Sequence, residues 1–159
     1  MISVVMFDLG ETLIGANGQP FAHVPEALTA IGKMNVKSCL VSDFDMHVSV
    51  AAAMTQYLKV LDKAGLRQFF EPVNQRVTLS NHAKASKPAA KVFKKALQRL
   101  GTASTPFADC LFITENAAHI EAARNELKMK GLQFGVDFTD WSEVPAKISA
   151  SGDWMLLIC

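Results

Sequence analysis

The chain is poor in charge, with 19% Asp, Glu, Lys and Arg against 50% apolar residues, and that balance excludes an intrinsically disordered segment. It also lacks an excess of either sign: the formal net charge is +1, so the surface as a whole is not built to neutralise a row of nucleic-acid phosphates. No apolar stretch approaches the roughly 20 residues that span a bilayer. No basic residue precedes Lys33, so the opening apolar run does not read as a secretory signal, and a cytoplasmic location is expected. The three cysteines, Cys39, Cys110 and Cys159, are odd in number and widely spaced, which points to free buried thiols and not to a disulfide framework. Internal repeats, low-complexity tracts and linkers are missing as well, and 159 residues suit one domain over 1–159 with a self-sufficient core.

What is there is an alternation of strand and helix patterns. Ile2 to Phe7 is a β-branched, nearly all-apolar run, too short for a helix and not alternating, as expected of a strand buried on both faces of a parallel sheet. Similar runs recur at 36–41 and 110–113, with weaker ones at 77–79 and 132–138, and 154–158 could form an edge strand. Between them, Val50, Met54, Tyr57, Leu58 and Leu61 keep helical spacing before Gly65. Val92, Phe93, Ala96, Leu97 and Leu100 do the same after Pro88, read here as a first-turn residue. A further helix is expected from Asn116 as cap through Ile120, Ala123 and Leu127 to Gly131, and a short crossover helix over Val24 to Ile31. The alternation predicts an α/β, Rossmann-like three-layer sandwich, with a central parallel sheet and a ligand crevice at the carboxyl ends of its strands.

Chemistry-bearing residues fall at those strand ends. Asp8 directly follows the first strand, Ser42-Asp43 ends the second strong one, Lys87-Pro88 opens a helix, and Thr114-Glu115-Asn116 ends the 110–113 strand. Two carboxylates, a hydroxyl and a lysine in one crevice suit phosphoryl transfer, in which a carboxylate can attack phosphorus, magnesium takes oxygen ligands and an ammonium offsets developing charge.

Asp8-Leu9-Gly10-Glu11-Thr12, Ser42, Ser86-Lys87-Pro88 with Val92-Phe93, and Leu111-Phe112-Ile113-Thr114-Glu115 resemble, in order and spacing, the four motifs of the haloacid dehalogenase (HAD) superfamily. The likeness covers about 2–148, and the stretch from Lys87 to Gly101 is similar to the lysine-proline helix of the helical-cap branch. The resemblance implies a magnesium-dependent phosphatase. Asp8 would form an aspartyl-phosphate, Ser42 and Lys87 would bind and steady the phosphoryl group, and Asp8, the Gly10 carbonyl and Glu115 would hold Mg2+. Asp43 and Asp45, in the loop after Ser42, are further candidates, with Asp43 placed among the substrate-binding residues.

Three departures from the pattern carry physical meaning. Gly10 stands where the family's usual phosphatase carries the aspartate that shuttles a proton, a function worth about 100 to 10,000-fold, although some phosphatases of the family are similar to this Asp-Leu-Gly pattern. Glu11, the nearest acid, should point away into solvent. His119 replaces the second acid of the last motif and is expected on the first helical turn, away from the metal. Only Leu13 to Lys37 separate the first motif from the second strand, so no sizeable cap fits and the site should be open; a macromolecular partner or a homodimer could cover it. The missing cap counts against a phosphonatase-like route, which draws a lysine from the cap, and dehalogenases differ at the residue after next from the nucleophile. Expected ligands are a phosphorylated small molecule or a phosphoprotein, with neither nucleic acid nor membrane as partner. The losses at Gly10 and His119 equally describe a noncatalytic binding or regulatory module on the same fold. Lys84, Lys91, Lys94, Lys95 and Arg99 read as a solvated helix face, and His23, His47 and His82 show no metal-ligand spacing.

Overall fold

The computed structural model describes residues 1–150. Five parallel strands, β1 (Val4–Phe7), β2 (Lys37–Ser42), β3 (Val77–Leu79), β4 (Cys110–Thr114) and β5 (Lys130–Gln133), lie in the order β3-β2-β1-β4-β5. Helices α1 (Val24–Gly32) and α2 (Val50–Ala64) carry the chain from β1 to β2 and from β2 toward β3. Two short helical turns, α3 (Val73–Arg76) and α4 (Ser80–Ala83), flank β3, α5 (Ala90–Arg99) leads to β4, α6 (Ala117–Asn125) to β5, and α7 (Val144–Ala150) follows.

The pleat explains the layering. Val5, Phe7, Leu40, Leu111 and Ile113 face a core shared with α1, α2 and α7, whereas Val4, Met6, Cys39, Val41, Cys110 and Phe112 face one shared with α5 and α6. Because both faces are covered, the strands can be apolar without alternation, as their sequences are. The chain runs outward from β1 through β2 to β3 with helices on one face, then crosses to β4 and β5 with helices on the other. The strand order therefore reverses beside β1, between β1 and β4, and the crevice of a doubly wound sheet opens there.

Local chemistry sets the helix limits. Ser49 caps α2 through its hydroxyl, which accepts from Ala52 N–H, and Gly65 ends that helix in the left-handed region at φ 71°. Asn116 caps α6 by accepting from His119 N–H. Three details differ from expectation. Pro88 lies in the turn before α5, which begins at Ala90. The last strand occupies Lys130–Gln133 in place of 132–138, and Phe134 to Phe138 turn back to pack around Trp141. Gly131 is therefore inside β5 and not a helix end: a Cβ there would stand 3.2 Å from Ile120 and 3.3 Å from Arg124, so the missing side chain lets α6 approach the sheet. The suggested strand at 154–158 and Cys159 lie outside the described residues, within which Cys39 and Cys110 are free, buried thiols.

Between β1 and β2 the structure has a loop and α1, with no inserted cap. No described helix is long and apolar enough to cross a membrane.

Candidate active site

Asp8 leaves β1 at its carboxyl end, its backbone N–H donating to Ile113 O at 3.0 Å across to β4. This anchors the first residue beyond the strand as firmly as the strand itself, and the carboxylate projects into the crevice. Three donors converge on it. Lys87 Nζ donates to Oδ1 at 2.7 Å, Leu9 N–H donates to the same oxygen at 2.9 Å, and the Thr114 hydroxyl donates to Oδ2 at 3.0 Å. An ionised carboxylate offers only acceptors, so this set suits the charged form.

Lys87 is held from several directions. Its side chain is 2% exposed, its ammonium stands 5.6 Å from the Phe112 ring centroid, and its backbone N–H donates to Asp43 Oδ1 at 2.9 Å. Asp43 thus positions the lysine loop, a role distinct from the substrate contact expected of it. Asp45 also serves the loop, accepting from His47 N–H, while its carbonyl receives the Asn81 amide.

Ser42 ends β2 as a buried residue, and its hydroxyl lies 2.6 Å from the Tyr57 hydroxyl on α2. Burial is the main reason the Tyr57 phenol is pushed far above its ordinary range, so it remains a neutral partner. Glu115 follows β4. Its N–H donates to the Thr12 hydroxyl, and its carboxyl is raised above the usual range by burial first, then by Asp8 and Glu11, with Lys87 opposing. A carboxyl loaded in this way is relieved by a divalent cation. The Gly10 carbonyl accepts no hydrogen bond from the described residues, and Gly10 is exposed. Two carboxylates and an open carbonyl make an all-oxygen donor set that fits magnesium. Among the described residues no three His, Cys, Asp or Glu side chains cluster to hold a metal, so the donor set depends on that carbonyl.

Asp8, Gly10, Ser42, Asp43, Lys87 and His119 line one open cavity of about 370 Å3. Glu11 is exposed, as expected, in the left-handed region at φ 57°. His119 sits on the first turn of α6 with Nδ1 buried and unpartnered; burial and then Lys87 lower its imidazolium below the ordinary value.

Sequence reasoning assigned no role to three supporting residues. Thr114 was visible as the polar end of an apolar strand, yet its contact with Asp8 depends on β1 and β4 being neighbours. Tyr57 keeps the helical spacing of core residues, and only its hydroxyl sets it apart. Thr12, fully buried, accepts from Glu115 N–H and offers its carbonyl to Trp141 Nε1 at 3.0 Å, joining the motif loop to the far aromatic cluster.

No family model and no curated protein matches the chain. Solved structures do. An L-2-haloacid dehalogenase from Xanthobacter autotrophicus aligns with TM-score 0.66 and 15% identity over 96% of this chain and 84% of its own. A haloacid dehalogenase-like family hydrolase from Xanthomonas campestris aligns with TM-score 0.62 and 17% identity, over 83% of this chain and 51% of its own. The HAD-hydrolase YfnB of Bacillus subtilis, solved bound to magnesium, gives TM-score 0.63 and 15% identity over 82% and 57%. The chain spans little more than half the length of the last two. At these identities the likeness is one of fold: the chain has the three-layer fold of the HAD-like hydrolases, without a sizeable cap.

Proposed function

We propose that the chain is a magnesium-dependent phosphohydrolase acting through an aspartyl-phosphate on Asp8. The observation that carries this reading is the Asp8 carboxylate at the switch point of the sheet, fixed by Lys87 at 2.7 Å and Thr114 at 3.0 Å. A carboxylate so held cannot rotate away from an incoming phosphorus, which is the orientational part of catalysis.

In the first step a carboxylate oxygen of Asp8 attacks phosphorus, the bond to the ester oxygen breaks, and the leaving oxygen takes a proton from water in the open cavity, since Gly10 offers none. In the second, water attacks the acyl phosphate, releasing inorganic phosphate and restoring Asp8. Lys87 offsets negative charge beside the transferring group, and Ser42 offers its hydroxyl to a phosphoryl oxygen while Tyr57 orients it. Asp8, the Gly10 carbonyl and Glu115 are the residues that would hold magnesium, which supplies further charge neutralisation on the phosphoryl oxygens. The open, capless cavity favours a phosphorylated group presented on a larger molecule, such as a phosphoprotein, or one covered by a second copy of the chain.

One feature favours a second reading. A Cβ at Gly10 would meet nothing within 4 Å, so there is room for an acidic side chain and none is present. With that acid absent, the fold serves equally as a regulatory module that binds phosphate without turnover.

Magnesium with beryllofluoride, a mimic of the aspartyl-phosphate, tests the proposal without a substrate. Thermal stabilisation that needs both components and vanishes in Asp8→Asn is expected. Stabilisation unchanged in Asp8→Asn, or absent in the parent chain, overturns the assignment of Asp8 as nucleophile. Phosphate release from phosphopeptides by the parent chain then separates an enzyme from a binding module.

A further inference from the structure

The largest cavity among those described, about 730 Å3, lies away from Asp8, along α5 between α4 and the loop before β4. His82, Lys84, Lys91, Lys94, Lys95 and Phe107 line it, and it shares no lining residue with the Asp8 cavity. Its size is within the range of about 300–1,000 Å3 typical of small-molecule sites.

The wall is of one sign. No Asp or Glu lines the cavity, and none of its four lysines forms an ion pair among the described residues, where Lys95 has only the Gln98 side-chain oxygen at 3.3 Å. Helix α5 contains no acidic residue. Lys91 and Lys95 stand four apart on it and Lys91 and Lys94 three apart, spacings at which like charges repel. Single unpaired lysines occur elsewhere on the surface, but here four of them line one cavity that has no acidic residue, whereas Arg67 meets Asp62 and Glu71, and Arg124 meets Asp137. The sequence pattern suggests separate solvated lysines, but the fold gathers them around a single concavity.

His82 adds a neutral donor. Its Nδ1 accepts from Leu79 N–H at 3.0 Å, so the ring carries its proton on Nε2. Burial, then Arg99 and Lys95, lower the imidazolium to about 4, so the ring stays neutral. The floor is apolar, built from Ala83, Leu97 and Phe107. Cationic walls, a neutral N–H donor and an apolar floor in one open concavity match a compact polyvalent anion. An extended acidic chain would need a longer track, and a single monovalent ion would leave most of the ammonium groups unmatched.

We propose that this basic cavity is a second anion site, which takes a small molecule carrying several phosphate groups and does so without metal. It does not rest on the reading of Asp8 as a nucleophile.

Calorimetric titration of the full chain with inorganic tripolyphosphate, in metal-free buffer of moderate salt, tests it. Saturable one-to-one binding is expected, unchanged in Asp8→Asn and weakened at least about tenfold in Lys91→Glu/Lys94→Glu, whose positions are exposed and tolerate the change. Binding lost in Asp8→Asn but retained in the charge-reversed variant would place the anion in the other cavity and overturn the proposal. So would no binding, binding that never saturates, or tighter binding of a hexaglutamate peptide than of tripolyphosphate, which would assign the surface to an acidic protein segment.

Discussion

Replacing Lys87 by methionine keeps most of the side-chain volume and deletes the charge beside Asp8. Two unit charges 2.7 Å apart attract by about 6 kcal/mol at an effective dielectric of 20, and desolvation of both groups returns a large part of that. The lysine side chain is 2% exposed and the aspartate 16%, so water cannot replace the lost partner fully. Leu9 N–H and the Thr114 hydroxyl remain on the carboxylate, which limits the damage. We therefore expect Lys87→Met to cost about 3 kcal/mol, the lower end of the range for breaking a buried pair. With a urea slope of about 2 kcal/mol per molar, that lowers the unfolding midpoint by about 1.5 M.

A double-mutant cycle decides whether the pair itself is responsible. Asp8→Asn strands the ammonium and should cost about 2 kcal/mol, while the double variant should cost about 3 in place of 5, a coupling of about 2 kcal/mol. Urea denaturation of all four proteins at neutral pH and at two salt concentrations gives the numbers, and the coupling should change little with salt because the pair is not solvent-screened. Additivity within about 0.5 kcal/mol would show that Lys87 and Asp8 do not interact as the geometry requires, and the proposed positioning of Asp8 by Lys87 would fail with it.

Gly10→Asp fills open space without a backbone penalty, and in phosphate-release assays it should raise turnover by about 100-fold or more if only the proton shuttle is missing; unchanged turnover would favour the binding module. Tyr57→Phe removes the 2.6 Å bond to Ser42 and should cost about 1 kcal/mol in denaturant unfolding. It should also weaken the response to magnesium and beryllofluoride, because the serine loses its orienting partner. His82 is neutral in the fold down to about pH 4 but titrates near 6.5 once unfolded, so the unfolded chain takes up the extra proton between these values and stability falls as pH drops through that window. Since His82 is only partly buried, the loss is about 1–2 kcal/mol after allowance for screening, read as a difference in urea midpoint between pH 7 and pH 5 that shrinks in His82→Gln.

The strands and helices that pass through the core were legible because buried parallel strands leave a pattern few other elements share. Val4 to Phe7 is apolar on every residue, and no amphipathic alternative fits it. β5 was misplaced because Lys130 to Gln133 is half-buried at the sheet edge and carries a lysine, a glycine and a glutamine. The stronger apolar pattern of Phe134 and Phe138 belongs to an aromatic cluster on Trp141, which only tertiary structure assembles.

The site divides along the same line. Asp8, Ser42 and Glu115 could be found because each stands at the end of an apolar strand, where a polar residue has few structural reasons to be, and Lys87 because a lysine-proline pair precedes a legible helix pattern. The contacts that hold them in place could not. Thr114 meets Asp8 across 106 positions of sequence, Asp43 meets the Lys87 backbone across 44, and Tyr57 hides its one polar atom on an otherwise apolar helix stripe. These partners follow from strand order and crossover handedness, which bring the ends of β1, β2 and β4 to one place. The proposed function therefore depends on positions of two kinds: groups that would do the chemistry, most of them marked by where a strand stops, and groups that aim them, fixed only when the sheet closes. A variant at Tyr57 leaves every motif intact and still removes the partner that orients Ser42, so an intact set of motif residues is not by itself a measure of activity.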